Sequence, residues 1–218
     1  DEVGFDCKVV LCASHDTASA VMAMPVVNGD GLYISSGTWS LMGVENDTAL
    51  CDEKSRLANF TNEGGYEYRF RYLKNIMGLW MIQSVRHELK DVYSFAELCA
   101  MAEECRSFPA RVDVNDDCFL APENMTEAIR DYCEKHGEQV PQTTGEIAAV
   151  IYQSLAECYG RTVKELEQNT KKVYAGIHII GGGSNATYLN QLTAAATGKT
   201  VYAGPGEATA IGNIMAQM

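Results

Sequence analysis

The feature that most limits how this chain can fold is the run His178-Ile179-Ile180-Gly181-Gly182-Gly183-Ser184-Asn185, where an apolar strand empties into three consecutive glycines before a helix. β-Branched residues suit a strand and glycine weakens either regular structure, so the chain must leave a sheet here and restart. Beyond the glycines the alternation continues: a helix over 185–197, a strand at Thr200–Ala203, a Gly204-Pro205-Gly206 turn and a last helix over 207–217. The strand entering the glycines is expected over 173–180. Such alternation marks an α/β domain with helices laid on a sheet. Bare backbone at a helix N-terminus admits a nucleotide phosphate, and it serves equally as a plain connection. The spacing is neither G-x-G-x-x-G nor a Walker A loop, since no Gly-Lys-Ser/Thr comes after it.

A similar element is expected near the start. Residues 8–13 (KVVLCA) read as a buried strand, followed by Ser14-His15-Asp16-Thr17 and a small-residue helix through Ala18, Ala20 and Val21. A carboxylate at the mouth of such an element can take the proton of an attacking hydroxyl; it can also be an N-cap satisfying the first helical N–H groups. After an Asn28-Gly29-Asp30-Gly31 turn, Leu32–Ser36 and 40–45 read as a hairpin through Gly37-Thr38-Trp39. A Gly-Thr bend lets amides and a hydroxyl approach phosphate oxygens, and any tight hairpin needs one too.

Residues 46–59 are polar and loop-like, and 66–72 alternate aromatic and polar side chains as an edge strand would. From Asn75 a helix is expected, with Ile76, Leu79, Trp80 and Ile82 supplying its apolar side. Asn75 and Gln83 would then share a face, as amides able to bind sugar hydroxyls or a nucleotide, or merely solvated. Helices over 94–105 and 123–136 look like a helical insertion spanning about 94–141. Thr143-x-x-Glu146 is a capping box opening a long helix that buries Ile147, Ile151, Leu155, Val163 and Leu166. The expected architecture is α/β, a mixed sheet flanked by helices.

Twenty-nine acidic against 17 basic side chains give a net charge of −12, which repels nucleic acid and anionic lipid. Eight cysteines without a C-x-x-C pair, and four histidines not spaced as ligand partners, argue against structural zinc. A chain this apolar with no secretory leader is expected in the cytoplasm, not as a disulfide scaffold. Cys118 and Cys133 could be close, although spacing alone does not establish geometry. No apolar stretch approaches the roughly 20 residues of a membrane span. Glu45, Glu63 and Glu67 are carboxylates able to help hold Mg²⁺ through water, with nothing in the sequence to separate them. The start at Asp1, just ahead of a strand-like run, suggests a piece of something longer.

Strand-HDT-helix, then SSGTW, then strand-GGGSN-helix, in that order, resembles the C-terminal domain of the FGGY carbohydrate kinases, whose fold is ribonuclease H-like within the actin and hexokinase superfamily. The resemblance spans essentially the whole chain, 1–218. The wording HDTASA at 15–20, SSGTWSL at 35–41 and NEGG at 62–65 looks most like members that phosphorylate L-rhamnulose; glycerol and xylulose kinases more often carry glycine before the aspartate. The resemblance implies that Asp16 is the proton acceptor, with His15 and Thr17 beside it at the sugar. Further, it implies that Thr38 meets a nucleotide phosphate, Asn75 the nucleotide or the substrate side, Gln83 the nucleotide, and Gly181, Gly182 and Gly183 the adenosine side, with Gly182 central. ATP, Mg²⁺ and transfer to the 1-hydroxyl of L-rhamnulose are implied with it. So is an N-terminal domain outside this chain that completes the sugar pocket and closes over it, without which phosphorylation should be poor. Two other readings stay open: a kinase for another ketose, such as fuculose or xylulose, and a non-catalytic nucleotide-binding module of the same fold.

Overall fold

A computed structural model of the chain describes residues 4–6, 8–13, 15–26 and 31–218. Ser14 and most of the expected 28–31 turn, residues 28–30, lie outside the described residues, as does Cys7. The expected strand over 8–13 does not form: no strand of the sheet pairs with it, and Val9 and Leu11 are 84% and 90% exposed. A strand is held by its ladder, and an apolar run without a neighbour to pair with stays irregular.

Helix α1 (Asp16–Met22) buries Ala18, Ala20 and Val21. Strands β1 (Leu32–Ser36) and β2 (Trp39–Asn46) form the expected hairpin, closed by the Gly37 N–H donating to the Trp39 carbonyl at 2.9 Å. Within the expected loop, Asp52 caps a short helix α2 (Glu53–Leu57). Strand β3 (Thr61–Gly64) forms the sheet edge on this side. The alternating run at 66–72 is divided: Tyr66–Tyr68 makes a single 3-10 turn, with Glu67 and Tyr68 at φ of 52° and 62°, and the next strand starts only at Phe70.

That strand, β4 (Phe70–Met77), overruns the expected start of the next helix. Asn75, Ile76 and Met77 pair with Leu41, Ser40 and Trp39 of β2, so ladder bonds override the helical periodicity. Helix α3 (Trp80–Glu88) begins five residues later than Asn75, and the two amides do not share a helix. Gly78 permits the change of direction, since a Cβ there would sit 2.5 Å from the Trp39 carbonyl carbon and 2.6 Å from the Ser40 nitrogen.

Helices α4 (Phe95–Glu104) and α5 (Met125–His136) occupy the 94–141 region. Ser94 and Glu97 form a capping box on α4, and Gly137 at φ 71° ends α5. Their Leu98, Ala102 and Ile129 join the same apolar core as the rest of the chain. Helix α6 (Thr144–Thr170) starts at the expected Thr143–Glu146 capping box and buries all five predicted apolar positions. Strand β5 (Gly176–Ile180), helix α7 (Thr187–Thr197), strand β6 (Thr200–Ala203) and helix α8 (Ala208–Met215) complete the alternation.

The sheet runs β3-β4-β2-β1-β5-β6, antiparallel from β3 to β1 and parallel from β1 to β6. Alternation divides its faces. Leu32 and Ile34 of β1 and Met42 and Val44 of β2 join the core that α6 closes, whereas Tyr33 and Ile180 meet Ala20, Val21 and Ala208 of α1 and α8. A buried 2.6 Å hydrogen bond between the Ser40 and Tyr159 hydroxyls ties α6 to β2. The mixed sheet flanked by helices is as expected. Among the described residues no helix is long and apolar enough to cross a membrane. Seven described cysteines, Cys118 and Cys133 among them, are free thiols.

Candidate active site

Because β1 and β5 run parallel while β4 runs antiparallel to β2, the ends of β1, β4 and β5 and the start of β2 fall on one side of the sheet. An open cleft of ≈ 620 Å³ lies there, lined among others by Asp16, Thr17, Thr38, Asn75, Gly181 and Gly182. His15 also lines it. A second, more apolar cavity of ≈ 540 Å³ takes in Gln83 and Gly183 with Tyr152 and Tyr188. Gly37 and Gly182 line both cavities, so the two meet at glycine backbone. The expected site residues are thus gathered around two neighbouring cavities that share glycine backbone.

Asp16 is the first residue of α1, and its side chain is 76% exposed. Its Oδ1 is tied back, accepting from the Thr17 N–H at 2.6 Å and the Thr17 hydroxyl at 3.3 Å. His15 Nδ1 lies 3.0 Å from the same oxygen and 3.3 Å from the Thr17 nitrogen. His15 is the residue that caps the helix, its Nδ1 accepting from the Thr17 N–H, which Asp16 Oδ1 shares. The N-cap is thus His15 and not Asp16, which stands one residue inside the helix; Asp16 Oδ1 folds back on Thr17 and Oδ2 remains for a ligand.

At the hairpin bend, the Gly37 and Thr38 carbonyls accept from the Leu79 and Trp80 N–H groups at 3.1 and 3.0 Å. These bonds seat the bend on the start of α3. The Thr38 hydroxyl donates to Gln83 Oε1 at 3.3 Å, joining one residue of the cleft to one of the neighbouring cavity. The three glycines after β5 differ in kind. Gly181 has φ 85° and donates to the Pro205 carbonyl at 3.1 Å. Gly183 is packed, since a Cβ would come within 2.9 Å of Leu79 Cδ1. Gly182 is open, with nothing within 4 Å of such a Cβ.

Asn75 reaches the cleft from β4, an exposed strand position beside Leu41, and not from a helix. Of the three carboxylates the sequence could not separate, Glu63 lines the cleft, while Glu45 and Glu67 line a different cavity with Arg69. Burial raises the Glu45 carboxyl above its usual range, opposed by the charges of Arg69 and Arg71. Leu41 also lines the cleft; the outward alternation of β2 marks it, given the register. Tyr152 and Tyr188, on α6 and α7, carry no motif and become visible as cavity residues only through packing. Among the described residues no group of three His, Cys, Asp or Glu is placed to hold a metal ion.

Residues 32–218 match the C-terminal domain of the FGGY family of carbohydrate kinases. The chain belongs to that family. Over 217 residues it is 53% identical to the rhamnulokinase of Halalkalibacterium halodurans, covering 100% of this chain and 46% of that protein. Over 212 residues it is 50% identical to the rhamnulokinase of Bacillus subtilis, covering 97% and 44%. The FGGY chain thus spans less than half the length of these relatives. Its fold is shared with the Plasmodium falciparum glycerol kinase solved with ADP, at TM-score 0.62 and 11% identity over 92% of this chain and 40% of that one. A xylulose kinase from Rhodospirillum rubrum aligns at TM-score 0.60 and 14% identity, covering 92% and 41%. The FGGY domain therefore has the actin and hexokinase-like fold.

Proposed function

We propose that this chain is the nucleotide-binding half of an ATP-dependent kinase that phosphorylates L-rhamnulose on its 1-hydroxyl, working with a preceding domain of the kind that its longer relatives have room for. The observation that carries the reading is the pair of neighbouring cavities, one with an exposed carboxylate, Asp16, and the other more apolar, which share Gly37 and Gly182. The relatives named rhamnulokinase favour L-rhamnulose over fuculose or xylulose.

In this reading Asp16 Oδ2 accepts the proton of the primary hydroxyl as that oxygen attacks the terminal phosphorus of ATP. The Thr17 N–H and hydroxyl hold Oδ1 and so fix the direction of Oδ2. The Gly182 backbone, open on the cavity side, suits the close approach of phosphates, and Thr38, Gln83 and Gly181 line the same two cavities between them. Asn75 and Leu41 flank the sugar end, and Gly183 packs behind the glycine turn. Mg²⁺ bound to the ATP phosphates would supply charge neutralisation, taking its other ligands largely from water. Such a reaction belongs in the cytoplasm, where ATP is available.

The test is ADP release from the chain joined to its preceding domain, over a ketose panel, with Asp16→Asn alongside. Selective turnover of L-rhamnulose, cut about 10²–10⁴-fold in the variant with ATP affinity retained, supports the reading. ATP binding without turnover of any ketose would instead identify a non-catalytic module.

A further inference from the structure

Arg71 is 1% exposed, beneath the α1 side of the sheet, a costly place for a permanent charge. Its Nη2 donates to Glu63 Oε2 at 2.9 Å and its Nε to the Gly64 carbonyl at 3.2 Å. These contacts arise from register, since Glu63 of β3 stands directly opposite Arg71 of β4. Glu45, opposite Arg71 on the other side, turns instead toward Arg69 at 3.7 Å. The pair is one-sided in exposure: Glu63 keeps 29% of its side chain accessible and lines the cleft that holds Asp16 and Asn75. The Arg71 contact takes Oε2, so Oε1 is left as an acceptor.

An ion pair this deep rarely stabilises a fold more than apolar residues of like volume would, so stability alone is a weak reason for placing one under a cleft. A carboxylate locked by a buried guanidinium is, however, a well-aimed hydrogen-bond acceptor. With one oxygen taken by the guanidinium and the other turned to the cleft, it is a suitable acceptor for a neutral hydroxyl.

We propose that Glu63 is a specificity-determining residue whose Oε1 accepts a hydrogen bond from a sugar hydroxyl other than the one phosphorylated, and that Arg71 is the positioning residue holding it there. This rests on the ketose-kinase reading above. Glu63→Gln keeps the volume and weakens the acceptor. In the chain joined to its preceding domain, KM for L-rhamnulose should rise roughly 10–100-fold, with KM for ATP and the Mg²⁺ dependence within about twofold. A set of singly deoxygenated L-rhamnuloses locates the contact: one should lose that factor with the wild type and lose little more with Glu63→Gln, because the two changes delete the same bond. Arg71→Lys should retain more discrimination among the deoxy sugars than Arg71→Met. Full additivity for every deoxy sugar, or an altered Mg²⁺ dependence with an unchanged sugar KM, would overturn the assignment. Absence of turnover by the wild-type protein on any ketose would defeat the kinase reading itself, a separately recognisable outcome.

Discussion

At the scale of single residues, the three glycines after β5 show why identical letters need not do identical work. Gly183 has no room for a side chain: a Cβ would approach Ser36 Cβ to 2.7 Å and Leu79 Cδ1 to 2.9 Å. Gly183→Ala is therefore expected to cost about 1–3 kcal/mol of stability, measured by urea unfolding. Gly182→Ala meets no protein atom within 4 Å and should leave that unfolding midpoint almost unmoved. Its methyl group would instead project from the wall that the two cavities share, so KM for ATP should rise by roughly tenfold, about 1.4 kcal/mol. Equal effects of both substitutions on stability would contradict this division. The sequence marks all three positions together as a turn, and only packing tells the filled position from the open one. Asp16 was legible for a different reason, because its local pattern already fixed it at the head of a helix.

Among the elements, those defined by their own ends were readable and those defined by neighbours were not. The Thr143 and Glu146 capping box announces α6, and the Gly37-Thr38 bend announces the β1-β2 hairpin. By contrast, 8–13 has the composition of a strand without a partner, and Asn75 to Met77 have a helical period while pairing with β2. Gly78 holds that last pairing in register, since a Cβ would lie 2.5–2.8 Å from backbone atoms of Thr38, Trp39 and Ser40. Gly78→Ala should thus disturb the hairpin bend and α3 together, lowering the unfolding midpoint and weakening ATP binding at once. Strand β5 carries a pH-sensitive element as well. Burial lowers the pKa of His178, whose ring stacks on Tyr202 of β6 at 4.9 Å. The folded chain resists a proton that the unfolded chain accepts near pH ~6.5, so stability is full above that value and declines as pH falls toward the lowered folded pKa. Unfolding measured at pH 7.5 and 5.5 should show a larger acid loss for the wild type than for His178→Asn.

For the whole molecule, the cleft is open on a side that nothing in the described chain covers, and phosphoryl transfer needs water kept out. If the proposed kinase reading holds, the chain alone is expected to bind ATP and to turn over L-rhamnulose at less than about 1% of the rate reached when joined to the proposed preceding domain, since closure supplies positioning as well as shielding. An ADP-release assay on both preparations decides it; comparable rates would mean that this half is self-sufficient. The meeting of the two cavities at Gly37 and Gly182 also bears on how such a protein can diversify. The shared wall is main chain, which point substitutions elsewhere do not reshape, while the cleft proposed for the sugar is furnished by side chains such as Leu41, Glu63 and Asn75. On the proposed kinase reading, exchanging those furnishings would retune which sugar is accepted and leave the nucleotide's berth untouched, so that one inherited frame can serve a succession of diets.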